Sequence, residues 1–169
     1  IFNGQAVTLG ADGFIALAGG TGADITSNNL GGSGIGAIGV FVGCTYTDPN
    51  LGTVVFRNNW PTGTVASDAL AYIVDDPDVI FMAQADGAVT QADLGQNTHL
   101  AAVQATGTGD TTTGNSTSAI DATTNTTNTF AFRIVDFVDS PTSTVGDAFT
   151  DLLIKFNPGM HSYTNATGI

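Results

Sequence analysis

Apolar and polar positions alternate, or nearly so, in several short runs, and none keeps a helical period for long. Val40-Phe41-Val42-Gly43-Cys44-Thr45-Tyr46-Thr47 is β-branched and aromatic and predicts a strand. Asp48-Pro49-Asn50-Leu51-Gly52 ends it with turn chemistry, and Thr53-Val54-Val55-Phe56-Arg57 follows as an antiparallel hairpin partner. Val79 to Gln84, Phe130 to Asp139 and Asp147 to Asn157 predict further strands, the last two parted by Ser140-Pro141-Thr142-Ser143. Val65 to Val74 is ambiguous, because Ser67 suits a helix cap while Tyr72-Ile73-Val74 prefers a strand. Asp75-Asp76-Pro77-Asp78 must break whatever precedes it.

The opening, Ile1-Phe2-Asn3-Gly4-Gln5-Ala6-Val7-Thr8-Leu9, admits two readings. One is an extended arm that orders only on a partner, with Phe2 and Val7 as anchors; the other is an ordinary first strand. Residues 1–38 therefore divide from 39–169 as an arm and glycine-rich connection ahead of a β domain, or as part of it. Thr106 to Thr129 is threonine-dominated and carries Ile120 as its one large apolar residue, which predicts an ordered, solvent-facing loop and edge strand.

Composition sharpens the class. The chain has 169 residues and 15 carboxylates. Every carboxylate is Asp, and only Arg57, Arg133 and Lys155 oppose them. Glu, Lys and Arg are strong helix formers, whereas Asp, Gly, Thr and Asn favour turns and extended backbone. The expected fold is all-β: an antiparallel barrel or sandwich with long Gly- and Thr-rich loops. The net charge of −12 opposes nucleic-acid and anionic-membrane partners, which require basic patches. No apolar run reaches the roughly 20 residues of a spanning helix, and the opening has no signal-peptide layout.

Candidate chemistry is sparse. Gly34 to Gly39 spell G-x-G-x-x-G, the spacing of a dinucleotide loop. That loop must open a helix and precede an acidic residue about 20 positions on. Here a strand pattern follows it, and Asn58 and Asn59 stand where the carboxylate belongs. Asp75, Asp76 and Asp78 lack the spacing of a Ca²⁺ loop. His99 and His161 have no companions at zinc spacing, no G-x-S-x-G elbow is present, and no paired carboxylates are nominated for glycoside hydrolysis. Cys44 is alone, which suits a small buried thiol in a strand. The expectation is a non-enzyme with neither cofactor nor metal.

Three blocks carry a resemblance: Gly39 to Pro49, Asn59-Trp60-Pro61, and Ala71 to Asp78. Thr112 to Thr117, Phe132 to Val138 and Phe156 to Tyr163 extend it over most of the chain from Gly39 onward. Together they resemble the small head-associated structural proteins of tailed bacteriophages, especially those of cyanobacterial and marine hosts. That resemblance implies a capsid decoration, or cement, protein on the outer surface of the virion head. It implies the major capsid protein and further copies of the chain, as a homotrimer, for partners. Trp60, with Phe2 and Val7, is the candidate partner-binding residue. The competing reading is a tail-fibre or receptor-binding β module for host glycans, with Trp60 and Tyr72 as a stacking platform.

Overall fold

The computed structural model describes residues 1–10, 12–18, 37–101 and 109–164. The glycine-rich connection, including Gly34 and Gly36, lies outside the described residues, as does the start of the threonine-rich stretch. The fold is all-β, built from nine strands among those residues. They are β1 (Ala6–Leu9), β2 (Ile15–Leu17), β3 (Gly39–Thr47), β4 (Val54–Arg57), β5 (Leu70–Val74), β6 (Phe81–Gln84), β7 (Asn97–Thr98), β8 (Phe132–Phe137) and β9 (Asp151–Phe156). One 3-10 turn, Gln91–Asp93, interrupts them.

Two antiparallel sheets result. In the first, β3 pairs with β1 and β4 along one edge and with β5 along the other, and β2 flanks β1. In the second, the order is β6-β9-β8-β7. Neither sheet closes on itself among the described residues, so of the two expected architectures the two-sheet one is observed, not the barrel. The β3–β4 hairpin forms as the turn residues dictate. Asp48 Oδ1 accepts the N–H groups of Asn50 at 2.8 Å and Leu51 at 3.3 Å. Gly52 then takes a φ of +66°, which costs glycine little.

The main core gathers Phe132, Ile134, Leu152, Ile154 and Phe156 of the second sheet with Ala6 and Val40 of the first. A second core lies on the other face of β3. There Phe41, Cys44 and Tyr46 pack with Val7 and Ile38, and Trp60 covers them. Cys44 is thus the buried strand thiol that its neighbours imply. The ambiguous segment resolves as a strand only from Leu70, once Ala71 and Ile73 face this second core. The described part of the threonine-rich stretch is ordered but forms no named strand. Isolated bridges tie Ser116, Ile120 and Asn125 to Gly109, Ala85, Leu100 and Asn97, and Ile120 is fully buried.

The N-terminal segment is not an arm in this fold. β1 pairs with β2 and β3, Ile38 N–H donates to the Val7 carbonyl at 2.8 Å, and Phe41 N–H to that of Gln5 at 2.9 Å. Ahead of the strand, Trp60 N–H donates to the Ile1 carbonyl at 2.8 Å. An arm needs spare backbone groups; here the neighbouring strands already take them.

Carboxylates stabilise loops. Thr47, through its hydroxyl at 2.6 Å and its N–H, holds Asp68 below the ordinary carboxylate value. The Lys155 ammonium at 2.6 Å does the same for Asp78, the Thr112 N–H for Asp110 and the Thr124 hydroxyl for Asp93. A carboxyl whose pKa is depressed on folding contributes stability above its unfolded value and loses it as pH falls through the folded one. The melting temperature should therefore fall modestly as pH is taken below about 3.8, the ordinary value for these groups, because each is solvent-screened. A melting series from pH 6 to pH 2.5 checks this, and a flat profile would contradict it.

Candidate functional site

Two surface features stand out, and they meet at β4. The first is an apolar face. Residues paired across strands share a side, so Thr45 aligns with Phe56 and Leu70, Thr47 with Val54, and Gly43 with Tyr72. Val54 is 70% exposed, Phe56 59%, Leu70 56% and Tyr72 42%. Phe56 and Tyr72 form an aromatic pair with centroids 6.1 Å apart. Gly43 makes room for it, since a Cβ there would stand 2.5 Å from Phe56 Cζ. The strand pattern alone marks these positions as apolar; only the register shows that they share one side and that nothing among the described residues covers them.

The second feature is a polar cleft of about 610 Å³ at the hairpin end of β3 and β4. Asp48, Asn50, Arg57, Asn59, Trp60 and Thr111 line it. Arg57, paired in the hairpin with Cys44, reaches along the strand so that its Nη2 lies 3.6 Å from Asp48 Oδ2. The Asn50 N–H above all, against the cost of burial, then the Leu51 N–H and Arg57, keep Asp48 ionised below the usual range. Trp60 meets Tyr46 edge-on at 5.1 Å, which fixes its indole between the second core and this cleft. Arg57, Asn59 and Thr111 continue into an adjoining hollow of about 250 Å³ with Asn58, Thr112 and Thr113. Asn58 Nδ2 donates to the Thr113 carbonyl at 3.3 Å and anchors that loop.

The candidate partner-binding residues fall in different places. Val7 has no exposed surface and belongs to the second core, so it offers nothing to a partner in this fold. Phe2 is half-buried, bridged to Asn59, and its ring lies where a Cβ on Gly109 would sit. Phe2 lines the polar cleft, and so does Trp60. It forms no platform with Tyr72: its ring neighbour is Tyr46, while Tyr72 pairs with Phe56 on the apolar face.

Both histidines lie in the interior. His99 is buried, its Nδ1 2.8 Å from the Leu100 carbonyl and its ring edge-on to Phe130. His161 is buried between Phe156 and Tyr163, and burial lowers its pKa despite the nearby Asp75. Tyr163 donates its hydroxyl to Asp75 Oδ2 at 2.9 Å, while Asp76 accepts the Asp78 N–H at 2.8 Å. No three His, Cys, Asp or Glu side chains among the described residues group as metal ligands would. Gly39, the last residue of the G-x-G-x-x-G spacing, opens β3, so a strand follows the spacing where a dinucleotide loop would open a helix. Comparison with family models, with curated proteins and with solved structures finds no match.

Proposed function

We propose that this chain is a non-catalytic structural protein of a virion, a capsid decoration protein that docks on the outside of the head. The observation that supports it best is the uncovered apolar face of Val54, Phe56, Leu70 and Tyr72 on a strongly acidic protein. An apolar, aromatic-rich patch with no cover is the usual mark of a protein contact. The resemblance of the blocks from Gly39 to Tyr163 names the major capsid protein as that contact. Trimers at local three-fold sites would let each copy repeat one contact with the shell. With Val7 in the core, the clasp falls to the β4–β5 face rather than to an N-terminal arm.

Copy number tests the role directly: a purified particle should carry hundreds of copies, and light scattering of the free protein should give a trimer. A handful of copies would favour the receptor-binding module instead. The face is tested by Phe56→Ser combined with Tyr72→Ser. Binding to expanded shells should weaken by about tenfold or more, as truncated aromatic anchors cost upward of about 2 kcal/mol. Both rings are exposed, so the melting temperature should shift by only a few degrees. Unchanged binding would remove this face from the contact.

A further inference from the structure

We infer that the cleft at Trp60 is a binding site for a neutral oligosaccharide, distinct from the apolar docking face and independent of the decoration role. Four observations lead there. The cleft combines donors and acceptors of mixed type, with Asp48 as a fixed acceptor, Arg57 as a donor, and the Asn50 and Asn59 amides as both. Its one carboxylate and one guanidinium cancel, 3.6 Å apart, so the lining carries no net charge for an ionic ligand. Trp60 contributes the largest ring among apolar lining residues that include Phe2, Tyr46 and Pro61, and that ring suits the C–H face of a sugar as readily as a protein contact. The volume of about 610 Å³ lies within the range of small-ligand sites, and the adjoining hollow extends it along Arg57, Asn59 and Thr111.

The geometry is prepared before any ligand arrives. Asp48 is buried, and its Oδ1 is committed to the Asn50 and Leu51 N–H groups. That leaves Oδ2, beside Arg57, to accept from a hydroxyl. A carboxylate already held in place loses little side-chain entropy on binding. Trp60 is held likewise by Tyr46. An anionic polymer would meet the field of a chain carrying −12, which opposes its approach. A polyhydroxylated, uncharged chain is the ligand that these groups suit.

Trp60 is the only tryptophan, so its emission reports on the cleft without interference. The intact protein is titrated with neutral hexasaccharides of glucose, mannose and N-acetylglucosamine in several linkages, with polygalacturonate and heparin oligomers beside them. At least one neutral oligomer should shift the emission saturably, with half-saturation between about 10 μM and 1 mM, as for sites resting on a few hydrogen bonds and one ring. Arg57→Ala and Asn50→Ala remove exposed groups; each should weaken binding several-fold, and the pair about tenfold or more, with the melting temperature nearly unchanged. Calorimetry of the same titration guards against a change of emission unrelated to binding. The inference is overturned if no neutral oligomer binds, if only the anionic ones bind, or if the double variant binds as well as the parent. Because shell binding is measured separately, a negative result here leaves the decoration role standing, and a failure of shell binding leaves this cleft standing.

Discussion

Deleting residues 1–9 is expected to abolish cooperative folding. The segment supplies β1, and with it the strand that joins β2 to the central β3. Gln5, Ala6, Val7 and Thr8 are all buried. Removing them uncovers the apolar neighbours of Val7 in the second core, Ile38 and Phe41, and deprives the main core of Ala6. It also orphans N–H groups of Ile38 and Phe41 that now donate to the carbonyls of Val7 and Gln5. Each buried, unpaired backbone group costs about 1–3 kcal/mol, so these losses, with the lost apolar burial, rival the whole stability of a domain. Calorimetry should show no unfolding peak, and the amide NMR spectrum should collapse to narrow dispersion. A milder version isolates one contact: Val7→Ala should cost about 2 kcal/mol through lost burial and the cavity it leaves. A deletion that still melts cooperatively would restore the arm.

That segment is hard to read from sequence for a definable reason. Gln5 and Thr8 are polar yet buried, Phe2 N–H donating to Gln5 Oε1 at 2.8 Å, so the alternation that marks a half-buried strand is broken at polar positions. Elsewhere the pattern carries the fold well. The β3–β4 hairpin is legible from a β-branched run, a Pro-Asn-Leu-Gly turn and a second run, and β8 and β9 from their apolar spacing. β2 and β7 are not, since strands of three and two residues have no period to detect. The stretch from Gly109 to Thr129 is ordered by side chain-to-backbone bonds, such as Asp110 with Thr112 and Asp121 with Thr123, which composition does not distinguish from disorder.

The cleft is legible only in pieces. Asp48 and Arg57 belong to one hairpin, but its register sets Arg57 against Cys44, so their ion pair depends on how far the side chains reach. Trp60 is a candidate from its rarity alone, but its neighbour Tyr46 and the arrival of Thr111 depend on how the loops cross. The apolar face is hidden more thoroughly. Val54, Phe56, Leu70 and Tyr72 read as ordinary core positions of two strands, and only the unoccupied side of the sheet makes them a surface. A sequence pattern states that a strand has an apolar side; it cannot state that the second sheet stops short of covering it.

Gly39→Ala is expected to be the most damaging single methyl group in the chain among the described residues. Gly39 ends the G-x-G-x-x-G spacing, so the substitution also separates a structural glycine from a phosphate-binding one. At this position β3 starts, pairing with Val7 on one edge and lying against the end of β5 on the other. An added Cβ would overlap the Val74 carbonyl oxygen and stand 3.0 Å from Asp75 Cα. Both are backbone atoms, which no rotamer change can move aside, and Val74 is held in register against Val40. Relief requires separating β5 from β3 where the second core depends on both, so the cost should reach about 3 kcal/mol or more. For a chain of this size that is a fall of about 10 °C in melting temperature. Gly63→Ala supplies the contrast. Gly63 has a φ of +79°, but an added methyl group there would meet no atom within 4 Å, so only the conformational cost of about 1 kcal/mol remains. Melting curves of the two variants should therefore separate clearly, with Gly39→Ala the lower. Were the spacing a nucleotide loop, the ranking would change in kind: Gly39→Ala would melt near the parent and lose a saturable stabilisation by NAD or ATP that the parent displays.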